Sequence, residues 1–392
     1  MSAYSSPKKT LKDINNNSVF QVIYDAKADG ISKQEISIKL GLSLPTINHI
    51  LISLLSEGKI IEGQKADPSG GRPAQLYCFN SKAKIAIGIE IRADRLVIAS
   101  VDLNGIIEKE ASLDIEFNVT ESYFLTFGSW ANSFIDSLHY SKDRILGVSI
   151  AIQGIVGEDG NHIVYGDLLR STAFTKDDFS SQLDYPITLV HDSEMAAHAE
   201  LWHLNTNISA IYMSLNPNLG AAMIIDGNVV HTRQLSSGTP EHMLLHPNGK
   251  RCYCGKLGCA DAYCSANSLI SSAMINLPLF FEGVRNGNTR DIEIWDKYMD
   301  ELSLFIDNIR MVFGVDIILG GLVSKYMCSD DFTYIQKKID SITTFKGASI
   351  KIFMGYYEEK AVLIGAALTN IKNYLSQNLQ LAIPHKAKNP GF

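Results

Sequence analysis

Between His242 and Cys259 the chain reads H-M-L-L-H-P-N-G-K-R-C-Y-C-G-K-L-G-C, which sets three cysteines and two histidines into one short segment. Cys252 and Cys254 are separated by a single residue, Gly255 and Gly258 let the backbone fold back, and Cys259 then meets the first two sulfurs. Three thiolates and one imidazole suit Zn2+, a borderline-soft cation that prefers four nitrogen or sulfur ligands. A closed set of four leaves no position for water, so the expected metal is a structural zinc and not a catalytic one. His242 and His246 both lie within reach, and the loop alone does not choose between them. The competing chemistry is a disulfide. Against it stand six cysteines in 392 residues, three of them (Cys78, Cys264 and Cys328) scattered, and a start, M-S-A-Y-S-S-P-K-K, without the apolar core of a signal peptide. Both features point to a reducing, cytoplasmic setting.

A second group of polar side chains sits near the N-terminus. Residues 1–17 form a polar arm with Lys8, Lys9 and Lys12, expected to be disordered or loosely docked. Val19, Val22 and Ile23 then mark a first helix, stopped by Asp29 and Gly30. Two further helices follow around Gly41, the first started by a capping box of Ser32 and Glu35. Ser43 caps the second, Pro45 lies in its first turn, and Ile47, Ile50, Leu51, Leu54 and Leu55 make an apolar stripe. That order is a helix-turn-helix, whose second helix offers polar side chains to a DNA major groove. Ser43, Thr46, Asn48, His49 and Ser53 are the candidates for that contact. Strands from Ile60 onward and through Leu76, with D-P-S-G-G-R-P between them, add a wing, and Arg72 at its tip is placed to contact phosphate. A three-helix protein-interaction module would carry the same apolar stripe, but it would have no use for Arg72 and the basic arm.

The elements that position these groups are those of a large globular chain. Length allows two or three domains, and 46% hydrophobic residues is ordinary. No run approaches the ~18 apolar residues of a bilayer span, so no membrane is expected. The net charge of −7 argues against a nucleic-acid partner until its distribution is seen: residues 1–75 carry nine Lys/Arg and seven Asp/Glu, a balance of +2 that leaves −9 for the rest. After a short linker over residues 80–84 the texture turns to strands, with an Asn104-Gly105 hairpin, a helix near Tyr123 to Leu138, and the strand I-L-G-V-S-I-A-I. The passage I-T-L-V-H-D then leads into helix S-E-M-A-A-H-A-E-L. A second set runs from A-I-Y-M-S-L-N through D-I-I-L-G-G and S-I-K-I-F-M to helix A-V-L-I-G-A-A-L. The expected class is α/β, with two lobes of similar plan. The divisions expected are 1–79 for the winged helix-turn-helix with its arm, 83–195 for the first lobe, and 196–379 for the second lobe with the zinc loop, its last helix packing on the first lobe.

The loop C-Y-C-G-K-L-G-C, the wing G-G-R-P, H-D-S-E-M-A-A and I-I-L-G-G-L-V-S together resemble the ROK family, named for its repressors, open reading frames and kinases. The resemblance covers nearly the whole chain after the arm. It implies an actin-like, hexokinase-like (ribonuclease H-like) fold for the two lobes, with sugar bound between them. It also implies that the zinc histidine is His242, from its spacing to Cys252.

Nucleotide-binding members of that family carry two phosphate loops, which need glycine for close backbone approach. Their acid-x-G-G-T turn corresponds to Glu90, Ile91, Arg92, Ala93 and Asp94, without either glycine. Their G-T-G-x-G-x-G loop corresponds to residues 216–222, where Pro217 removes a donor and only Gly220 survives. Gly320 and Gly321 still resemble the adenosine-side turn. The resemblance further implies sugar contacts. Asp192 matches the kinases' general base, with His191 in place of an asparagine; Thr239 stands for the glutamate of E-x-G-H and Glu241 for its glycine; His242 lies against both zinc and sugar; Asp261 stands for the glutamate of C-L-E. The effector-binding set expected is Asp192, His191, Thr239, His242 and Asp261.

These readings imply a DNA-binding transcriptional regulator, a repressor of carbohydrate-metabolism genes. Its partners would be double-stranded operator DNA and a small carbohydrate effector, and it would act as a homodimer or homotetramer with no catalytic residues. The alternative is a ROK-type sugar kinase carrying a DNA-binding domain, and the altered phosphate loops separate the two.

Overall fold

The computed structural model describes residues 10–66, 73–157, 159–166, 168–169, 171–230, 239–345 and 350–379. Helix α1 (Leu11–Asp25) opens the N-terminal unit. Thr10 Oγ1 accepts from the Asp13 N–H at 3.2 Å and the Asp13 carboxylate accepts from the Thr10 N–H at 2.9 Å. The arm expected over residues 1–17 is thereby corrected: the helix already runs from Leu11 through Asn15, Asn16 and Asn17. Its capping box satisfies first-turn donors, and burial of Val19, Phe20 and Ile23 offsets the weak helix propensity of three asparagines.

Helix α2 (Lys33–Leu40) carries the Ser32 and Glu35 box and ends at Gly41, whose φ of 65° suits glycine. Helix α3 (Leu44–Ser56) is capped by Ser43 and buries Ile47, Ile50, Leu51 and Leu54. The α2 and α3 axes turn through 118°, within the range of a helix-turn-helix. Strands β1 (Ile31–Ser32), β2 (Ile60–Lys65) and β3 (Gln75–Phe79) form an antiparallel sheet in the order β1-β3-β2. The wing tip, with Arg72, lies outside the described residues.

The expected linker at residues 80–84 is hydrogen-bonded along its length. Asn80 Nδ2 donates to the Gly58 carbonyl at 2.8 Å, the Leu103 N–H donates to the Ser81 carbonyl at 2.9 Å, and Lys82 pairs with Glu108 at 3.2 Å. Arg144 donates to the Lys82 and Ala83 carbonyls.

Two sheets of one plan follow. The first contains β4 (Ile85–Ile91), β5 (Arg95–Asp102), β6 (Ile107–Asp114), β7 (Ile145–Ile152) and, beyond the small hairpin of β8 (Ile155–Val156) and β9 (Ile163–Tyr165), β10 (Ile187–His191). Its order is β10-β7-β4-β5-β6. The second contains β11 (Ala210–Leu215), β12 (Leu219–Ile225), β13 (Asn228–Val229), β14 (Asp316–Gly320) and β15 (Ile352–Met354), in the order β13-β12-β11-β14-β15. Counted within each lobe, both read third, second, first, fourth, fifth, with the second strand antiparallel to its neighbours. Strand β4 is buried at every position, as a strand covered on both faces must be, and so reads as a nearly continuous apolar run.

Helices α4 (Glu121–Asp136) and α5 (Lys176–Ser180) cover the first sheet, and α6 (Asp192–Leu204) leaves it directly from β10. In the second lobe come α7 (Asp261–Cys264), α8 (Ala266–Ala273), α9 (Leu277–Arg285), the long α10 (Thr289–Phe313) and α11 (Ser329–Ile342). Helix α12 (Ala361–Asn378) follows the second sheet in sequence but packs on α6 and on β4 and β7 of the first. A Cβ at Gly365 would lie 1.7 Å from the Met195 carbonyl oxygen, and one at Gly88 would lie 2.2 Å from that of Leu363, so both contacts require glycine. Among the described residues no single helix is long and apolar enough to cross a membrane.

One cation is half-buried in the α6 and α12 contact. Lys372 Nζ lies 3.0 Å from His198 Nδ1, and burial lowers its pKa from 10.5 to about 8. Between those values the unfolded chain binds more protons than the folded one, so this residue's contribution to stability rises with pH across that window and its cost is complete below it. Lys372→Met should therefore stabilise the fold by about 1–3 kcal/mol at pH 7. Denaturant titrations at pH 7 and pH 10.5 check this: the gain should shrink at the higher pH, and a gain that does not change with pH would refute the assignment.

Candidate effector cleft and metal centre

The C-terminal ends of β7, β10 and β11 converge on a cleft of about 590 Å³, part of it open to solvent. Ligands of open α/β sheets bind at such strand ends. Gln153 and Gly154 follow β7, His191 and Asp192 form the β10 to α6 junction, and Ser214 and Asn216 end β11. The opposite wall holds Thr239, Glu241, His242 and Tyr253. Of the five expected effector contacts, the structure brings four to this cleft.

Asp192 is the first residue of α6, where the helix dipole favours a carboxylate. Its Oδ1 accepts from the Ser193 N–H at 2.7 Å and lies 3.4 Å from His191 Nε2. Asp261 is the exception. It is not among the residues lining the cleft: its Oδ1 accepts from the Leu219 N–H at 2.8 Å and its Oδ2 lies 3.7 Å from Cys252 Sγ. Both oxygens are engaged where α7 meets the start of β12, so Asp261 braces the wall from behind. Glu241 takes the place on the wall instead. It is 9% exposed and its Oε2 has no hydrogen-bond partner. Burial, with the charges of Asp192 and Asp261 adding to it, pushes its pKa up to about 8. Read from sequence it was only a replacement for a glycine; the signal for it is an ionisable residue directly before the loop histidine.

Behind that wall His242, Cys252, Cys254 and Cys259 come together, their ligand atoms all within 4.8 Å of one another. Cys254 and Cys259 sulfurs are 3.8 Å apart, and Cys252 Sγ is 3.7 Å from His242 Nδ1. A tetrahedral ion with metal–sulfur bonds of about 2.3 Å would hold sulfurs about 3.8 Å apart, so the residues fit such an ion. Burial pushes the Cys252 thiol far above its usual range, and a thiolate there calls for a cation. His242 Nε2 lies 3.1 Å from the Tyr253 hydroxyl, an outer contact that fixes the ring. His246 turns away: its Nε2 lies 2.5 Å from Glu301 Oε2.

The two segments compared with phosphate loops have other uses here. Arg92 forks onto Glu90 at 2.8 and 2.9 Å, and its N–H donates to the Arg95 carbonyl in a tight turn between β4 and β5. Gly220 lies inside β12, paired with Ser214. On α3, Asn48 and His49 are exposed and Thr46 is half-buried. Ser43 Oγ is 2.8 Å from Thr46 Oγ1, and the half-buried Ser53 donates to Glu57 at 2.8 Å, so neither hydroxyl is idle. Ile52, 57% exposed on the same face, was not anticipated.

The ROK family model matches residues 86–373. The chain belongs to the ROK family. Its ROK relatives include the xylose repressor of Bacillus subtilis (strain 168), 24% identical over 67% of this chain and 68% of that protein. The DNA-binding transcriptional dual regulator NagC of Escherichia coli (strain K12) is 22% identical over 68% of this chain and 66% of its own. A solved ROK family transcriptional regulator, a homologue of the E. coli MLC protein, superposes with a TM-score of 0.71 at 20% identity, over 95% of this chain and 98% of its own. A ROK glucokinase from Streptomyces griseus, solved with glucose and AMPPNP, superposes with a TM-score of 0.64 at 18% identity, over 73% of this chain and 98% of its own. These structures establish the two-lobed fold that ROK regulators and kinases share.

The two loop histidines make different predictions. His242→Ala should release metal from the purified ROK protein, whereas His246→Ala should retain it. Elemental analysis of both variants decides, and retention in His242→Ala would exclude that residue as a ligand.

Proposed function

We propose that this chain is a DNA-binding transcriptional regulator, a repressor of carbohydrate-metabolism genes, whose interlobe cleft binds a small sugar effector. The observation that carries this reading is the winged helix-turn-helix, with Asn48 and His49 exposed on α3, fused to a ROK body. The naming of the xylose repressor and of NagC supports it. The divisions 1–79, 83–195 and 196–379 serve as DNA-reading unit, first lobe and second lobe. A structural zinc held by His242, Cys252, Cys254 and Cys259 would supply a fixed tetrahedral crosslink beneath the effector wall. Asp192, His191, Thr239 and His242 contact the effector, with Asp261 supporting. The protein acts in the cytoplasm on double-stranded operator DNA.

The kinase alternative draws support from Asp192, which matches a general base. Against it, Arg92 is committed to Glu90 at the turn where phosphate would lie, and Asp94 and Arg95 of the same turn are paired with each other at 2.9 Å. An ATP-dependent thermal shift would favour the kinase reading.

One recognition helix reads few base pairs, so useful specificity calls for two half-sites and a homodimer or homotetramer. Asn48→Ala should relax base preference, while Arg72→Ala should weaken binding to all sequences and flatten its salt dependence. Anisotropy titrations on operator and random duplexes separate these outcomes; equal losses on both duplexes for Asn48→Ala would remove it from the base-reading set.

For the cleft, Asp192→Asn keeps the shape and removes a charged acceptor. Operator affinity without sugar should be unchanged and the sugar response lost. A normal response in that variant would show that the cleft is not the sensor.

A further inference from the structure

Glu241 is an anomaly in the cleft wall. Its side chain is nine-tenths buried, it lines the cavity, and its Oε2 finds no hydrogen-bond partner in the protein. A buried carboxyl oxygen left unpaired costs about 1–3 kcal/mol, and a ligand in the cleft recovers that cost when the side chain turns its enclosed Oε2 toward the donor. Asp192 presents a second carboxylate to the same space. The remaining described wall is made of amides, hydroxyls, backbone and apolar groups, with His191 and His242. Among the described residues no lysine or arginine lines the cleft, and Arg92 on the neighbouring turn is held by both oxygens of Glu90.

Resting on the sugar-effector reading above, we propose that Glu241 is a specificity-determining contact and that the effector is an unphosphorylated sugar bearing a free amino group. An ammonium against Glu241 supplies the missing donor as a charge-assisted bond, stronger than a sugar hydroxyl would make. Acetylating the amine removes the charge and adds bulk. A phosphate or carboxylate on the sugar brings a like charge toward two acids with no described cation to offset it.

The test uses full-length, metal-loaded protein and isothermal titration with glucosamine, galactosamine and mannosamine, their parent hexoses, their N-acetyl forms and their 6-phosphates. At least one hexosamine should bind about 10-fold or more tightly than its hexose, a difference of ~1.4 kcal/mol. Its 6-phosphate should bind more weakly than the parent amine. Glu241→Gln is isosteric and should bring amine and hydroxyl forms within about 3-fold of each other while sparing hexose binding; Glu241→Ala, checked for an unchanged melting profile, should do the same. A 6-phosphate that binds better than its parent overturns the proposal, as does an amine preference that survives in Glu241→Gln. Wild-type protein that binds no sugar of any class instead overturns the sugar-effector reading and takes this inference with it. Binding of sugars without amine preference leaves that reading standing and removes this inference alone.

Discussion

Helix α12 lies so close to α6 and β4 that no side chain fits between them at Gly365 and Gly88. The rest of the structure follows from that approach. α12 is the continuation of the second sheet, yet its buried face, from Ala361 to Leu375, completes the core of the first. In the other direction α6 leaves the first sheet and reaches the second lobe, where the Glu200 carboxylate accepts from the Tyr356 and Tyr357 N–H groups at 2.8 and 3.1 Å. Each lobe therefore holds an element of the other. The same apolar core takes in Val19, Phe20 and Leu54 of the winged unit with Leu375 and Leu379 near the end of α12.

The His/Cys cluster and the cleft are joined at one ring. His242 faces Cys252 with Nδ1 and Tyr253 with Nε2, so both nitrogens are engaged and the imidazole cannot rotate without losing a contact. Tyr253, Glu241 and His242 all line the cleft, and Asp261, 3.7 Å from the loop cysteine Cys252, accepts from the Leu219 N–H at the start of β12. Burying acids and thiols this densely is costly, because burial penalises every charged form. A cation held by His242, Cys252, Cys254 and Cys259 would offset that cost and fix the wall at the same time.

Much of this was legible in the sequence because it rested on local chemistry. Ser32 and Glu35, Ser43 with Pro45, and Gly41 announce their caps by residue type, and the nearly continuous apolar runs of the buried strands announce the two lobes. The cysteine spacing is equally local. What escaped depended on distant partners. The start of α1 turned on the Thr10 and Asp13 pair, which prevailed over three asparagines of poor propensity. β1 has two residues, too few for any period, and exists because β3 pairs with it. Asp261 was expected in the cleft, but the Leu219 N–H, 42 residues away in sequence, draws its carboxylate behind the wall. Glu241 escaped for the converse reason: its significance is the absence of a partner, which no sequence displays.

Under the proposed function, the cleft must speak to the winged unit through this framework. A sugar alters operator affinity only to the extent that it binds the two arrangements of the protein unequally, and a ~10-fold change needs roughly 1.4 kcal/mol of coupling. Asp192 sits at the first turn of α6 and Met195 one turn later meets Gly365 of α12 backbone to backbone. A contact of that kind has no side chain to absorb a shift, so displacement of α6 by a ligand passes to α12. At the other end, Tyr374 lies within electrostatic range of Glu57 at the close of α3, and residues 81–83 are pinned to Leu103, Glu108 and Arg144 of the first lobe. The winged unit is thus held at two places by parts of the body that the cleft helix touches. Rotation of the unit about those attachments, not a loosening of a flexible tether, is the two-state element the fold offers.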